Sequence, residues 1–303
     1  MSENSYHSGF VAVIGRPNVG KSTLINALLG QKVAAVSPRP QTTRRSQLGI
    51  YTIENAQIVF VDTPGIHNPH HKLGEALNVN AEEALIGVDL ILWLVDASVM
   101  PTEEDRLIAA LMGSLKDRPP LLLATNKTDR LSEEEVESRQ RAYHELFPAA
   151  DDVIPLSATR GDGRAELIDA LLQRLPERPP DYPEDQVTDY YERDIAAELI
   201  REACLIFLRD EVPHSLAIRV DEFTERGDEG AYIAATIFVE RDSQKGIIIG
   251  QGGKTIKKIG GAARKEIEAM SGRKVYLDLR VKVLKDWRSN ETYLRRFGFN
   301  LKK

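Results

Sequence analysis

Short apolar runs alternate along the first half of this chain with longer segments whose apolar residues return every three or four positions. Residues 10–14 (Phe-Val-Ala-Val-Ile), 58–61, 90–95, 121–125 and 153–156 form the runs. Their length and branched content predict strands buried on both faces. Residues 24–29, 103–116, 132–147 and 164–175 carry helical spacing, and Ser132 with Glu135 has the signature of a capping box. Strand and helix in alternation from residue 10 to about 175 predict an α/β fold built on an open, mostly parallel, doubly wound sheet.

The texture then changes. Pro176-Glu177-Arg178-Pro179-Pro180-Asp181-Tyr182-Pro183 is too rich in proline for a helix or a central strand. A linker is therefore expected over residues 177–190, between a first domain at 1–176 and a second at 191–303. The second opens with helical spacing at 193–208, where Ile195, Leu199, Ile200, Ala203, Phe207 and Leu208 should share a buried face. Strands are expected near 215–223 and 232–240, joined by the turn-rich stretch Glu225 to Gly230. A helix over 254–270 places Ile256, Ile259, Ala263, Ile267 and Met270 on one side. Val275, Leu277, Leu279, Val281 and Val283 then alternate with Tyr276, Asp278, Arg280 and Lys282, the pattern of a half-buried strand. The second domain is thus α+β.

At 303 residues and 42% hydrophobic content, the chain can bury two cores. Cys204 is the single cysteine and lies within an apolar helical pattern, which excludes an intrachain disulfide and points to a buried structural thiol. No apolar run nears the roughly 20 residues of a membrane span, and the polar first nine residues do not read as a secretion signal. The expected location is the cytoplasm. The net charge of −6 conceals an asymmetry: residues 241–303 hold 17 Lys and Arg against 6 Asp and Glu, or +11, leaving 23 against 40, or −17, for the rest. The basic end suits a polyanion.

Candidate chemistry sits at the ends of the expected strands. After the first comes Gly15-Arg16-Pro17-Asn18-Val19-Gly20-Lys21-Ser22-Thr23, a complete G-x-x-x-x-G-K-[ST] phosphate loop. Small residues let backbone N–H groups face phosphate oxygens, Lys21 reaches the β and γ phosphates, and Ser22 binds Mg²⁺. Asp62-Thr63-Pro64-Gly65 follows the second run; Asp62 suits Mg²⁺ through water and the Gly65 N–H suits the γ phosphate. Asn126-Lys127-Thr128-Asp129 matches the N-K-x-D box of guanine-nucleotide proteins, in which the aspartate accepts from guanine N1 and N2, so Asp129 would select GTP over ATP. Ser157-Ala158 resembles the loop whose backbone N–H meets guanine O6. Residues 37–45, polar and broken by proline, fit a switch loop that orders when a threonine joins Mg²⁺; Gln41, Thr42, Thr43, Arg44 and Arg45 form its end, with Thr43 as the expected ligand and Thr42 the alternative. Ile66 stands where Ras-type enzymes carry the glutamine that orients water. Hydrolysis must then use another group, and is expected to be slow in isolation and stimulated by RNA or K⁺. His67, His70 and His71 lie nearby without ligand spacing and should be solvated.

Near the basic end, Ile249-Gly250-Gln251-Gly252-Gly253-Lys254 contains the GXXG core of a KH domain, with Lys254 and Lys257 as counter-charge for an unpaired RNA backbone. The order helix, strand, strand, helix, GXXG, helix, strand is that of a type II KH domain. Trp287, with Arg288, Arg295 and Arg296 around it, either stacks on RNA or packs the terminal helix.

Together with Gln41-Thr42-Thr43-Arg44, Tyr182-Pro183-Glu184-Asp185 and Ile200-Arg201-Glu202, these motifs resemble the Era family of bacterial GTPases over nearly the whole chain. The resemblance implies a Mg²⁺-dependent, GTP-switched factor, a monomer that does not bind DNA. Its KH domain would take single-stranded sequence at the 3′ end of 16S rRNA during maturation of the 30S subunit. It also implies peripheral contact with the inner face of the membrane, and K⁺ bound by Asn18, as in related GTPases with asparagine at that place; the alternative is that Asn18 only stabilises the turn. A scaffold with structural nucleotide is the competing function; an ATPase or kinase leaves Asn126 and Asp129 unexplained.

Overall fold

The computed structural model describes residues 5–36, 43–69, 71–225 and 230–301. The chain divides into two compact units: residues 1–33, 43–69 and 77–189 form one, and 34–42, 70–76 and 190–303 form the other.

The first unit is a six-stranded sheet in the order β2-β3-β1-β4-β5-β6, made of β1 (His7–Ile14), β2 (Gln47–Ile53), β3 (Ala56–Asp62), β4 (Leu90–Asp96), β5 (Leu121–Asn126) and β6 (Asp152–Pro155). All neighbours pair in parallel except β2, which runs antiparallel to β3. The expected strands are present: β1, β3, β4 and β5 outrun their apolar runs by one to three residues, and β6 begins and ends one residue earlier than its run. The sequence reading missed β2, because an edge strand with one bonded neighbour needs no continuous apolar run. The helices up to residue 172 are α1 (Lys21–Leu29), α2 (Lys72–Glu83), α3 (Glu103–Ser114), α4 (Glu133–Leu146) and α5 (Arg164–Leu172). At the start of α4 the capping box is formed: Glu135 accepts from the Ser132 N–H at 2.8 Å, and Ser132 Oγ accepts from the Glu135 N–H at 3.3 Å. Alternation along the strands builds two cores. Val11 and Val13 join one cluster with Phe60, Leu92 and Leu167, while Ala12 and Ile14 join the other with Trp93, Ile108 and Tyr143.

The proline-rich stretch 177–189 belongs to this unit and is hydrogen-bonded to it. Gln57 accepts from the N–H groups of Asp181 and Tyr182 at 2.9 and 3.0 Å and donates to Tyr182 O at 2.9 Å. The Ile50 N–H donates to Val187 O, and Arg178 pairs with Asp89 at 2.8 Å. Prolines have no N–H to offer, so the few donors between them are the points of attachment.

The second unit contains α6 (Glu192–Phe207), β7 (Ala217–Glu225), β8 (Ala231–Val239), α7 (Asp242–Ile249), α8 (Lys254–Ser271), β9 (Val275–Val283) and α9 (Glu291–Arg296). Its sheet runs β7-β8-β9, antiparallel then parallel. Ile259, Ala263 and Ile267 of α8 pack with Ile195, Leu199, Ile200 and Ala203 of α6 over Ile233, Ala235 and Ile237. Phe207 departs from expectation: it is exposed, because α6 ends there and Leu208 turns inward instead. Cys204 is buried, and burial pushes its thiol up to about 12, which removes it from thiolate chemistry. Trp287 packs rather than presenting a stacking face: it is fully buried, donates its indole N–H to Ser215 O at 2.9 Å and meets Phe297 edge-on. Among the described residues no helix is long and apolar enough to cross a membrane.

Candidate nucleotide site and RNA-binding loop

In a sheet whose order reverses beside β1, the loops leaving the carboxyl ends of the strands converge on one place. Between β1 and α1, residues 15–20 form the candidate phosphate loop. A methyl group on Gly15 would fall 2.3 Å from Leu94 O, and one on Gly20, at φ 107°, would fall 2.4 Å from Asn126 Nδ2. Close approach thus excludes side chains at both. Asn18 adopts a left-handed conformation with φ 64°. Lys21 is buried, and its Nζ donates to Gly15 O at 2.9 Å and Arg16 O at 3.1 Å. Burial lowers its pKa to about 8, with the Asp62 carboxylate working in the opposite direction.

Ser22 Oγ lies 2.7 Å from Asp62 Oδ2 and 2.8 Å from Thr43 Oγ1, and Thr43 is 3.3 Å from the same carboxylate oxygen. Three hard oxygens meet here, a donor set that suits Mg²⁺. Gln41 and Thr42 lie outside the described residues, as do residues 37–40; Arg44 is buried and Arg45 exposed. Beyond Asp62 the loop closes on β1: Thr63 Oγ1 donates to Val13 O at 2.7 Å, and the Ile66 N–H to Gly15 O at 3.3 Å. Gly65 faces Pro17 so closely that a methyl group would lie 2.6 Å from its nitrogen. Ile66 is buried in the core cluster with Trp93. The expectation of solvated histidines fails at His67, which is buried with Nδ1 donating to Gly65 O at 2.9 Å. His71 is exposed and His70 is outside the described residues. No cluster among the described residues has metal-ligating His, Cys, Asp or Glu in threes.

The loops at 126–129 and 157–158, the candidates for the base, are tied to residues 15–20 or to each other. Asn126 donates to Val19 O at 2.7 Å and accepts from the Ala158 N–H at 2.9 Å. Lys127 donates to Asn18 O at 2.8 Å and to Asp96 at 2.6 Å, and Asp129 accepts from Ser157 Oγ at 2.7 Å. Sequence reasoning missed a carboxylate pair beneath them. Arg16 lies 3.6 Å from Asp96 and 3.4 Å from Asp105, and Tyr143 OH donates to Asp96 O at 3.1 Å. Burial raises the Asp96 carboxyl, but hydrogen bonds from Lys127 and Ser98 outweigh it and hold the group below its ordinary value. The available signal was position: Asp96 ends a central strand, where such sheets gather their ligands.

In the second unit, Gly250 at φ 68° ends α7, and a methyl group there would fall 2.2 Å from Thr255 Oγ1. Gly252 and Gly253 also have positive φ, and a methyl group on either would meet nothing within 4 Å, so there is free space beside them. Gln251, Lys254 and Lys257 are exposed around them, and Ile249 is half-buried at the loop's base. Ile247, exposed on α7 before the loop, is an apolar neighbour that helical spacing alone did not single out.

Comparison with known proteins agrees with both halves. Residues 10–127 match a family described as 50S ribosome-binding GTPase, and residues 211–288 match the KH domain. GTPase Era of Halothermothrix orenii is 50% identical over 297 residues, 97% of this chain and 99% of that protein. GTPase Era of Geobacter metallireducens is 47% identical over 99% of this chain and 100% of that protein. The solved structure of Era in complex with MgGDPNP and nucleotides 1506–1542 of 16S ribosomal RNA superposes with a TM-score of 0.93 at 40% identity, over 98% of this chain and all of that one. A variant of Aquifex aeolicus Era bound to GDP·AlF4⁻ gives 0.92 at 39% identity, over 97% of this chain and all of that one.

Proposed function

The chain belongs to the Era family of GTPases, and from that premise we propose a GTP-hydrolysing switch that binds the 3′ end of 16S rRNA and assists 30S subunit assembly in the cytoplasm. The observation that carries the nucleotide half is Asn126, whose one amide joins the phosphate loop at Val19 to the Ser157-Ala158 loop. The candidate phosphate and base loops are thereby joined through one side chain. Gly15 to Thr23 cradle the phosphates, Asp62 to Gly65 sense the γ phosphate, and Asn126, Lys127, Asp129, Ser157 and Ala158 take the guanine. Ser22, Thr43 and, through water, Asp62 would hold Mg²⁺. When bound, that ion would supply positive charge to the phosphates. Lys21, already stripped of water, gives its charge to the same phosphates, and the start of α1 adds its partial positive charge.

The RNA half rests on Gly250 to Gly253, where the space beside Gly252 and Gly253 leaves room for a sugar-phosphate chain, with Lys254 and Lys257 beside it. The domain assignment follows: nucleotide domain at 1–176, linker at 177–190, KH domain at 191–303. If the two halves form a switch, an oligonucleotide of the 16S 3′ end should bind more tightly with a nonhydrolysable GTP analogue than with GDP, and by linkage should tighten the analogue equally. Equal RNA affinity in both states, measured by fluorescence anisotropy, would leave a scaffold. The same reading makes the protein a monomer with peripheral contact at the inner membrane face, which flotation with anionic vesicles tests.

Two further outcomes are expected. Asn18, in its left-handed conformation with its carbonyl held by Lys127, is the K⁺ candidate; exchanging K⁺ for Na⁺ at constant ionic strength should slow turnover, and an unchanged rate would reduce Asn18 to a turn residue. Lys21 gives a proton signature. With its free-state pKa at about 8, the amine is charged below that pH with or without nucleotide. Between that value and the ordinary 10.5 the free site loses the proton and phosphate restores it. Nucleotide binding at about pH 9 should therefore take up a proton, and at about pH 7 Lys21 should contribute none. Titration calorimetry in buffers of different ionisation enthalpy reads the difference; uptake that persists in Lys21→Met contradicts it.

A further inference from the structure

Ile66 cannot orient a water molecule, and Gly65 beside it has the backbone freedom to let the sensor loop drift. Yet the peptide unit joining these two residues is held at both ends. Its carbonyl accepts from Nδ1 of His67 at 2.9 Å, and its N–H donates to Gly15 O at 3.3 Å. A carbonyl only accepts, so Nδ1 carries the proton. His67 is itself gripped through its main chain by one side chain of α2. Asn78 Nδ2 donates to His67 O at 2.8 Å, and Asn78 Oδ1 accepts from the His67 N–H at 3.3 Å. An apolar side chain would fill the His67 site; what the imidazole adds is direction.

We propose that His67 is a positioning residue for GTP hydrolysis, acting through the Gly65 carbonyl with Asn78 behind it. Together they set the orientation of the sensor main chain, so that peptide groups do what a side chain at position 66 cannot. The inference rests on the reading that the Gly65 N–H meets the γ phosphate.

Single-turnover hydrolysis at saturating GTP, paired with GDP affinity on the full-length protein, tests it. Loss of orientation costs rate rather than ground-state binding, so His67→Ala should slow hydrolysis roughly tenfold or more while GDP affinity stays within about twofold. Asn78→Ala should act in the same direction and less strongly. His67→Asn, which offers Nδ2–H near the place of Nδ1–H, should recover most of the loss. An unchanged rate in His67→Ala, or a loss shared equally by GDP affinity and not recovered by His67→Asn, overturns the proposal. Gly65→Ala separates the two layers, since its methyl group would strike Pro17. If Gly65→Ala hydrolyses GTP normally, the sensor reading falls and the proposal with it; if it is silent while the His67 variants are normal, only the positioning role falls.

Discussion

Asp129→Asn is expected to move base preference from guanine to xanthine. Guanine presents donors at N1 and N2, and a carboxylate accepts both. Xanthine keeps the N1 donor but has an oxygen at position 2, which needs a donor facing it. The structure provides for the exchange, because Ser157 Oγ donates to Asp129 Oδ1 at 2.7 Å. An asparagine at 129 would keep its Oδ1 on Ser157 and turn Nδ2 toward the base. GTP affinity should fall by about 10³-fold or more, since a site built for a donor pair leaves polar groups unpaired when one is mismatched. Displacement of a fluorescent guanine nucleotide by GTP and by XTP measures both sides of the exchange. If GTP remains preferred in the variant, Asp129 does not read the base.

The second large effect lies in the other unit. Replacing Gln251 and Gly252 together by aspartate puts two negative charges where the proposed RNA backbone passes, and should weaken binding of the 16S 3′-end oligonucleotide about 100-fold or more at low salt. The fold should stand, because Gln251 is exposed and a side chain at Gly252 meets nothing within 4 Å. Gly252 has φ 60°, a conformation that aspartate tolerates better than most residues. GTP hydrolysis without RNA and the thermal midpoint should match the parent protein. Retained RNA affinity in the double variant would move the RNA site away from this loop. Gly250→Ala is the contrasting case: its methyl group would strike Thr255, so it should lower stability along with RNA binding.

Strands β1, β3, β4 and β5 were legible because each carries an apolar run buried on both faces, while β6 is a four-residue edge strand with Asp152 and Pro155 exposed. The β2 strand was not legible, since Gln47, Gly49 and Thr52 interrupt its apolar residues and its one bonded neighbour is β3. Helix ends were legible where a cap marks them, as Ser132 and Glu135 do. They were overrun where none does: α3 and α5 stop at Ser114 and Leu172, short of the apolar spacing. His67 was misjudged because a loop histidine without ligand spacing is ordinarily solvated, and only the packing of α2 onto the loop encloses this one.

The motifs and their order are legible in the chain alone: Gly15 to Thr23, Asp62 to Gly65, Asn126 to Asp129, the GXXG stretch and the basic end that accompanies it. These are local patterns, each carried by a few consecutive residues at the end of a strand or between two helices. Only the tertiary structure decided which groups meet. It brings Thr43 and Asp62 to Ser22, sets Asn126 against Val19 from 107 positions away, and places the half-buried Arg16 between Asp96 and Asp105. Those encounters follow from β1 lying between β3 and β4 with the loops of all their neighbours on one edge. Strand order is settled by which faces pack together over the whole chain, and no stretch of a few residues encodes it.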